Sequence, residues 1–382
     1  MPHHNSVLHA VLKLLPWDVL DAAIERHGGA ERARGFSYKS HLIAMVYAQL
    51  SGSSSLRHVI AGLQSHADRL YHLGAEPARR STLAEANRNR PAEVFGDLLA
   101  IMIERAHRGL RQAMDGVTYL IDSTSLPLNR YSAGWAQFSA QACGAKLHVI
   151  YDPSADCPIY AAITAARIND ITAVHAMPIQ PGATYVFDLG YYDYLWWANL
   201  DEAGCRIVTR LKSNTPLCVT EIRPVEAGGP ILSDCVGQLP ARQARSRKNP
   251  FSKPMREIKV RIETGKVLRI VTNDLHAPAQ QIADLYKRRW AIELFFRWVK
   301  QTLKITRFLG TSENAIRIQV IVALIAFLLL RLAQKTQSQI TSPLVFARLI
   351  RANLMHSRPI DHLHTPKPRA TAAPGQFTLF AT

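Results

Sequence analysis

The amino-acid sequence predicts an α/β protein with a helical N-terminal region and a β-rich insertion within its α/β part. Three observations lead to this class. The first 110 residues carry apolar side chains at helical spacing, residues 117–211 alternate short strands with helices, and residues 212–279 contain segments that alternate as strands do. Strands separated by helices along the chain are typical of α/β proteins.

Size and charge narrow the possible functions. The chain has 382 residues, of which 48% are hydrophobic, which is enough for two or three domains and at least one substantial core. Its formal net charge of +17 at pH 7 favours an anionic partner, most often nucleic acid. An acidic membrane surface is the alternative, but the basic residues are spread along the chain instead of lying on one amphipathic helix.

Cysteine usage and hydropathy argue against three other classes of protein. The five cysteines are an odd number without CxxC spacing, which argues against a disulfide framework or a zinc cluster and favours a reducing compartment. The longest apolar run, Val320 to Leu330, is shorter than the roughly 18 residues that indicate a membrane-spanning helix. We therefore expect this run to form a buried core helix.

The N-terminal region predicts a helix, a short turn and a second helix. These are the segments SYKSHLIAMVYAQL, GSSS and LRHVIAGLQ. Such a unit can place its second helix in the major groove of DNA, although it is more often an ordinary helical hairpin.

Two aspartates in the α/β part follow strand-like segments. VTYLID ends in Asp122, and ATYVFD ends in Asp188. Further strands are predicted at 146–152 and 158–167, a short helix at 171–176, and a helix and a strand after Asp188. Functional groups gather at the carboxyl ends of strands in α/β sheets, so the two carboxylates face each other if their strands are parallel neighbours. The alternative, that each Asp begins a turn or caps a helix, is about as well supported.

The stretch YKRRWAIELFFRWVKQTLKI, Tyr286 to Ile305, predicts one helix because it contains neither Gly nor Pro. Tyr286 and most of the charged side chains, including Glu293, fall within about 80° of arc, with apolar side chains on both flanks. A narrow polar stripe between apolar flanks predicts a face that points into a cleft. The alternative is an ion-pair ladder of Arg289, Glu293 and Arg297, worth a few tenths of a kcal/mol per pair.

A carboxylate among cations suits a metal-dependent DNA cleft. Phosphodiester cleavage can use two Mg²⁺ ions about 4 Å apart, and Mg²⁺ prefers carboxylate oxygens. Three acids suffice if one of them bridges both ions, and the basic neighbours of Glu293 would then hold phosphates.

These residues resemble a known family. The spacing of Tyr286, Arg289, Glu293 and Lys300 is similar to the Y-x2-R-x3-E-x6-K signature of the DDE transposases of bacterial insertion sequences, specifically the insertion-sequence-four family. DSTSL and FDLGYYDY are similar to that family's first and second Asp motifs. GAKLHVIYDP, VTRLKSN, FLGTSENAIRIQ and STLAEANRNR are similar to further family segments, so the resemblance runs from about residue 5 to 335.

The resemblance implies a fold and a division into domains. We expect an RNase H-like catalytic core at 111–335, interrupted by the β-rich insertion at about 212–279. A helical DNA-binding region is expected at 1–110, and a C-terminal helix with a Pro-rich tail at 336–382.

The resemblance also implies an activity, its cofactors and its partners. The activity is cut-and-paste DNA transposition, in which metal-dependent strand cleavage and strand transfer occur at terminal inverted repeats. The implied cofactors are two Mg²⁺ ions, with Mn²⁺ as a substitute. The implied partners are double-stranded DNA, both the ends of the element and the target, and a second copy of the chain, with which it would form a homodimer in a paired-end complex. The implied location is the nucleoid of the bacterial cytoplasm, away from membranes.

Residue roles follow from the same resemblance. Asp122, Asp188 and Glu293 would be the catalytic metal ligands. Phosphates near the cleaved end would be contacted by Tyr286, Arg289 and Lys300, with Arg210 and Lys212 as further DNA contacts.

The insertion bears on one step of the reaction. Better-known relatives release themselves through a DNA hairpin and stack a flipped base on an aromatic side chain of the insertion. Between Asn199 and Leu285 the aromatic candidate is Phe251, in a basic segment broken by Pro. Two other functions remain open: an inactive or domesticated relative that only binds DNA, and a metal nuclease without strand transfer.

Overall fold

The computed structural model describes residues 6–28, 36–111, 116–244 and 247–364. The end of the expected Pro-rich tail, from residue 365 onwards, lies outside the described residues. The described residues fold into an N-terminal helical part and a mixed sheet flanked by helices, so the expected class is confirmed.

The N-terminal part consists of short helices and one long helix. They are α1 (Val7–Leu12), α2 (Trp17–His27), α3 (Tyr38–Ser51), α4 (Leu56–Gln64), α5 (Ala67–Leu73), α6 (Arg80–Asn89) and α7 (Ala92–Leu110). The predicted helix–turn–helix is confirmed as α3 and α4. Ser37 and Ser55 cap the two helices, and Gly52 ends α3 at φ +71°, which glycine adopts without strain. Because α3 is buried along nearly its whole length, α4 is the helix of this pair that faces solvent.

The α/β part begins with five strands separated by short helices. The strands are β1 (Thr118–Leu128), β2 (Cys143–Asp152), β3 (Cys157–Ala165), β4 (Thr184–Phe187) and β5 (Arg206–Arg210). The helices between them are α8 (Ala133–Ala136), α9 (Asp170–Val174) and α10 (Tyr194–Glu202). The five strands lie in the order β3-β2-β1-β4-β5, and β2 runs antiparallel to its neighbours while β4 and β5 run parallel to β1. This order and these directions are the RNase H-like arrangement that the sequence resemblance implies.

The β-rich insertion extends the same sheet. Its strands are β6 (Cys218–Arg223), β7 (Ile231–Gln238), β8 (Arg242–Ala244), β9 (Arg247–Lys248), β10 (Met255–Arg261) and β11 (Val267–Thr272). Strand β11 pairs antiparallel with β5, and β10, β7 and β6 follow outwards, while β8 and β9 form a separate hairpin. Sequence patterning identified β6, β10 and β11 but not β7, whose sequence ILSDCVGQ mixes polar and apolar residues without strict alternation.

The predicted helix at Tyr286–Ile305 is two helices. These are α11 (Ala279–Arg288) and α12 (Trp290–Thr302), and Arg289 lies between them with φ −53° and ψ −28°. The single-helix prediction was therefore wrong at Arg289 and at its C-terminal end, because α12 ends at Thr302 and Lys304 has φ +51°. Because Arg289 keeps a right-handed helical conformation, the two helices remain nearly continuous.

The long apolar helix lies inside the protein. It is α13 (Glu313–Lys335), and α14 (Pro343–Asn353) follows it. By length and composition α13 could cross a membrane, but 78% of its most apolar 18-residue stretch is buried inside the protein. The helix packs against α3, α6, α7 and α14. The predicted core helix is confirmed, and it joins the N-terminal helices to the sheet.

The sheet separates two apolar cores. Alternate residues of β1 point to opposite faces, so Leu120 packs with α7, α12 and α13, whereas Ile121 packs with α10. The functional residues described next follow the same alternation.

Candidate active site where strand β4 ends beside β1

Asp122 and Asp188 lie side by side at one edge of the sheet. Ile121 pairs with Phe187 in parallel register, and each aspartate is the next residue of its strand. Neighbouring strands are about 4.8 Å apart. The prediction that Asp122 ends its strand was wrong, because β1 continues to Leu128 by pairing with β2, but the carboxylate still lies where β4 ends.

A backbone N–H holds each aspartate by one oxygen. The N–H of Ser123 donates to Asp122 Oδ1 at 2.8 Å, and the N–H of Gly190 donates to Asp188 Oδ1 at 2.8 Å. Asp188 also begins a 3₁₀ turn, Leu189–Tyr191. Asp188 therefore caps a turn, as the alternative interpretation expected, whereas Asp122 lies within β1 and does not. In both acids that hydrogen bond orients the second oxygen.

Glu293 approaches Asp122 from α12, which packs against β1. The guanidinium of Arg289 lies between the two acids. Its Nη1 donates to Asp122 Oδ2 at 3.1 Å, and its Nη2 donates to Glu293 Oε1. The side chains of Asp122 and Arg289 are each 17% exposed and that of Glu293 is 32% exposed, so the group is partly screened from water. The ion-pair ladder considered for this helix is thus present between Arg289 and Glu293, and it extends to a strand.

Negative charge accumulates at Asp122. Burial raises the pKa of its carboxyl to about 6, and the nearby Asp188 and Glu293 raise it as well, against the lowering effects of the Ser123 N–H and of Arg289. Repulsion among three carboxylates is the kind of strain that a bound cation relieves.

The chemistry of this donor set fits a hard divalent cation. Every candidate ligand atom is a carboxylate oxygen, which suits Mg²⁺ and Mn²⁺. Among the residues that the structure describes, no three His, Cys, Asp or Glu side chains are grouped as metal ligands. The Arg289 guanidinium lies between two of the three acids, where it neutralises them as a bound cation would.

The other predicted phosphate-contacting residues lie on α11, on α12 and at the end of β5. Tyr286 is 7% exposed, and its pKa is raised by burial and lowered by the nearby Arg289 and Arg210. Lys212 follows β5 and lies over the ring of Tyr192, 4.4 Å from its centroid. Lys300 is partly buried on α12, where burial lowers its pKa. Tyr286 thus lies near Arg289, Arg210 and Asp188, while Lys212 follows β5 and Lys300 lies about two turns beyond Glu293 on α12.

Phe251 is a core residue of the second apolar cluster. It is 4% exposed, and its N–H donates to Asn249 Oδ1 at 2.8 Å. In this position its ring offers no free face on which a flipped base could stack.

Sequence reasoning missed a charged cluster on the opposite face of the β1–β2 hairpin. Asp170, the first residue of α9, accepts hydrogen bonds at Oδ1 from Ser123 Oγ at 3.2 Å and from Lys146 Nζ at 3.0 Å. Buried His148 places its Nδ1 at 3.7 Å from the same oxygen. The available signal was the position of Asp170 shortly after a strand, the pattern that identified Asp122 and Asp188.

Two families match the chain. Residues 114–329 match the family described as "Transposase DDE domain". Residues 3–76 match a family described as "Domain of unknown function (DUF4372)".

Similar proteins carry related descriptions. A putative transposase y4zB of Sinorhizobium fredii is 39% identical over 75% of this chain and 80% of its own length. A probable transposase for insertion sequence element IS5377 of Geobacillus stearothermophilus is 28% identical over 94% of each chain. A solved structure described as the piggyBac transposase synaptic complex with hairpin DNA has 11% identity and a TM-score of 0.47, covering 95% of this chain and 82% of that one.

Proposed function

The chain belongs to the transposase DDE domain family, and from this membership we propose how it carries out DNA transposition as the transposase of an insertion sequence. The family match covers residues 114–329. Its reactions are DNA strand cleavage and strand transfer, and its partner is DNA. We propose that the two reactions are joined as cut-and-paste transposition at terminal inverted repeats.

We assign catalysis to Asp122, Asp188 and Glu293. The observation that carries this assignment is the parallel register that sets the two aspartates side by side, with Glu293 tied to Asp122 through one guanidinium. The three acids would hold two Mg²⁺ ions, for which Mn²⁺ would substitute. When bound, the ions would activate the attacking water or 3′-hydroxyl and stabilise the leaving oxygen.

Arg289 has a double role in this proposal. In the protein alone it neutralises Asp122 and Glu293. When cations take over that task, its guanidinium is free to bind a DNA phosphate, for which its planar donors are suited. Tyr286, Lys300, Arg210 and Lys212 would contribute further phosphate contacts around the cleaved end.

The N-terminal region, 1–110, would supply a second DNA surface. Helix α4 faces solvent with Arg57 and His58, and the adjacent α6 exposes Arg80 and Arg88. An exposed basic helix capped by Ser55 can enter a major groove and read the terminal repeat. The catalytic part at 111–335 would then act on the end that this region binds.

The assembly and the location are also proposals. Cut-and-paste excision needs both ends of the element, which two copies of this chain would hold as a homodimer. The DNA partner places the protein at the nucleoid of the bacterial cytoplasm. No observation favours an inactive relative.

The test uses the purified chain, Mg²⁺ and a plasmid that carries the DNA flanking its gene. Wild type should cut at the ends of the terminal repeats, and Glu293→Gln should bind the same DNA without cutting it. The matched control is Glu313→Gln on α13, because Glu313 also pairs with an arginine four residues on, at 2.6 Å.

Each other outcome points elsewhere. Binding without cutting by all three proteins would favour a DNA-binding relative. Cutting that ignores the terminal repeats would favour a nuclease. Cutting by Glu293→Gln would overturn the role of Glu293. The form of the released ends, sealed or open, would decide whether a DNA hairpin is used.

A further inference from the structure

Asp170 lies behind both catalytic aspartates. Its Oδ1 accepts a hydrogen bond from the Ser123 hydroxyl at 3.2 Å. The backbone N–H of Ser123 donates to Asp122 Oδ1. On the other side, a Cβ added at Gly190 would lie 3.4 Å from Asp170 Oδ2 and 3.0 Å from Asp188 Oδ1. The two backbone amides that orient the catalytic aspartates therefore belong to Ser123, which is hydrogen-bonded to Asp170, and to Gly190, whose turn packs beside α9.

Further groups hold Asp170 in this place. Lys146 on β2 donates to Asp170 Oδ1 at 3.0 Å and also to the carbonyl of Ile168 at 3.0 Å. Asn169 caps the short α9 with its side chain. Lys146 thus balances the charge of Asp170 in a region where an unpaired fourth carboxylate would be repelled.

Buried His148 faces this carboxylate, and buried Tyr191 lies near it. His148 is 0% exposed, and its Nδ1 has no hydrogen-bond partner while lying 3.7 Å from Asp170 Oδ1. The hydroxyl of Tyr191 is also buried without a partner, and its pKa is raised by burial first and then by the neighbouring Asp170. Buried polar atoms normally find partners, so these two mark a site built around Asp170 for more than packing.

We infer that Asp170 is a positioning residue that, through Ser123 and Gly190, fixes the two aspartates in the orientation that binds divalent cations. The inference rests on the proposed metal role of Asp122 and Asp188. Groups that orient metal ligands from behind contribute about 10- to 100-fold to metal affinity or activity. Asp170 acts through its hydrogen bond and its shape, and Lys146 balances its charge.

The experiment measures Mn²⁺ binding by the full-length protein without DNA, from the EPR signal of free Mn²⁺. Asp170→Ala should weaken Mn²⁺ binding about tenfold or more. Asp170→Asn keeps an acceptor for Ser123 and should retain most of the affinity. The control is Asp274→Ala, because Asp274 is similarly buried and paired, with Arg206 at 2.8 Å, but lies outside the site. Thermal unfolding in EDTA checks that each variant is folded.

A double-mutant cycle separates positioning from simple charge. If Asp170 acts through Ser123, then Ser123→Ala weakens Mn²⁺ binding, and adding Asp170→Ala costs much less than it does in wild type. Asp170→Ala also leaves Lys146 unpaired, and this positive charge could by itself weaken Mn²⁺ binding. In that case the double variant Asp170→Ala/Lys146→Met would bind Mn²⁺ as well as wild type does, and the inference would be overturned.

The remaining outcomes are equally decisive. Unchanged affinity in Asp170→Ala, or equal loss in Asp170→Asn and Asp170→Ala, would also overturn the inference. If wild type itself binds no Mn²⁺, the metal role in the proposed function fails, and the inference that depends on it fails too. Cleavage assays supply a second readout: Asp170→Ala should lower kcat while leaving the KM for DNA unchanged.

Discussion

Replacing Asp122 by Asn should stabilise the metal-free protein while removing its activity. The pKa of Asp122 is raised from its ordinary 3.8 to about 6, chiefly by burial. A raised carboxyl pKa means that the fold disfavours the ionised form. The stability cost of Asp122 is therefore absent below about pH 4, grows as the pH rises through the interval between the two values, and is complete above about pH 6.

The magnitude follows from the size of the shift. About two pKa units correspond to about 3 kcal/mol, and the 17% exposure of this side chain leaves little solvent screening to reduce that figure. Asn resembles the protonated acid in shape and charge. Asp122→Asn should therefore gain up to about 3 kcal/mol at pH 8, and about half of that at pH 5.

The assay is urea unfolding followed by tryptophan fluorescence, in EDTA, at both pH values. The control is Glu104→Gln on α7, where an exposed acid pairs with Arg108 at 3.1 Å and its removal should change stability by a few tenths of a kcal/mol. A variant that is no more stable than wild type at pH 8, or whose gain does not shrink at pH 5, would refute the reasoning. Mg²⁺ should stabilise wild type, by about 2.7 kcal/mol at 100 times its Kd, and should have far less effect on Asp122→Asn.

Three further predictions test other parts of the molecule. Phe251→Ala should lower the free energy of unfolding by about 3–5 kcal/mol, measured by denaturant, because the ring fills a core; a loss below about 1 kcal/mol would mean that it does not. Arg256→Met should cost about 3–5 kcal/mol by the same method, because it leaves buried Asp234 unpaired, and Asp234→Leu in the same chain should recover most of this loss. Arg57→Ala on α4 should lower the slope of log affinity for DNA against log salt concentration by about one, while an unchanged slope in titrations at several salt concentrations would exclude α4 from the interface.

Much of the fold and the main candidate residues could be predicted from residue patterns because those patterns are local. The α3–α4 unit was predictable from the helical spacing of its apolar residues and from the Ser and Gly residues between its helices. The buried helix α13 was predictable from one apolar run. Asp122, Asp188 and Glu293 were identifiable because acids in those settings are uncommon, and because four residues at fixed spacing resemble a family signature. The family membership was correctly anticipated on the same residues.

The remaining features are determined only by the tertiary structure, because they depend on contacts between residues far apart in sequence. Strand β1 runs past Asp122 since β2 folds back onto it, and β7 becomes a strand since β6 and β10 lie on either side of it. Arg289 meets an acid 167 residues away, which helical spacing alone cannot reveal. Asp170 acquires its place behind the aspartates only when α9 packs beside the turn at Gly190, so local patterns locate the acids and tertiary contacts determine their partners.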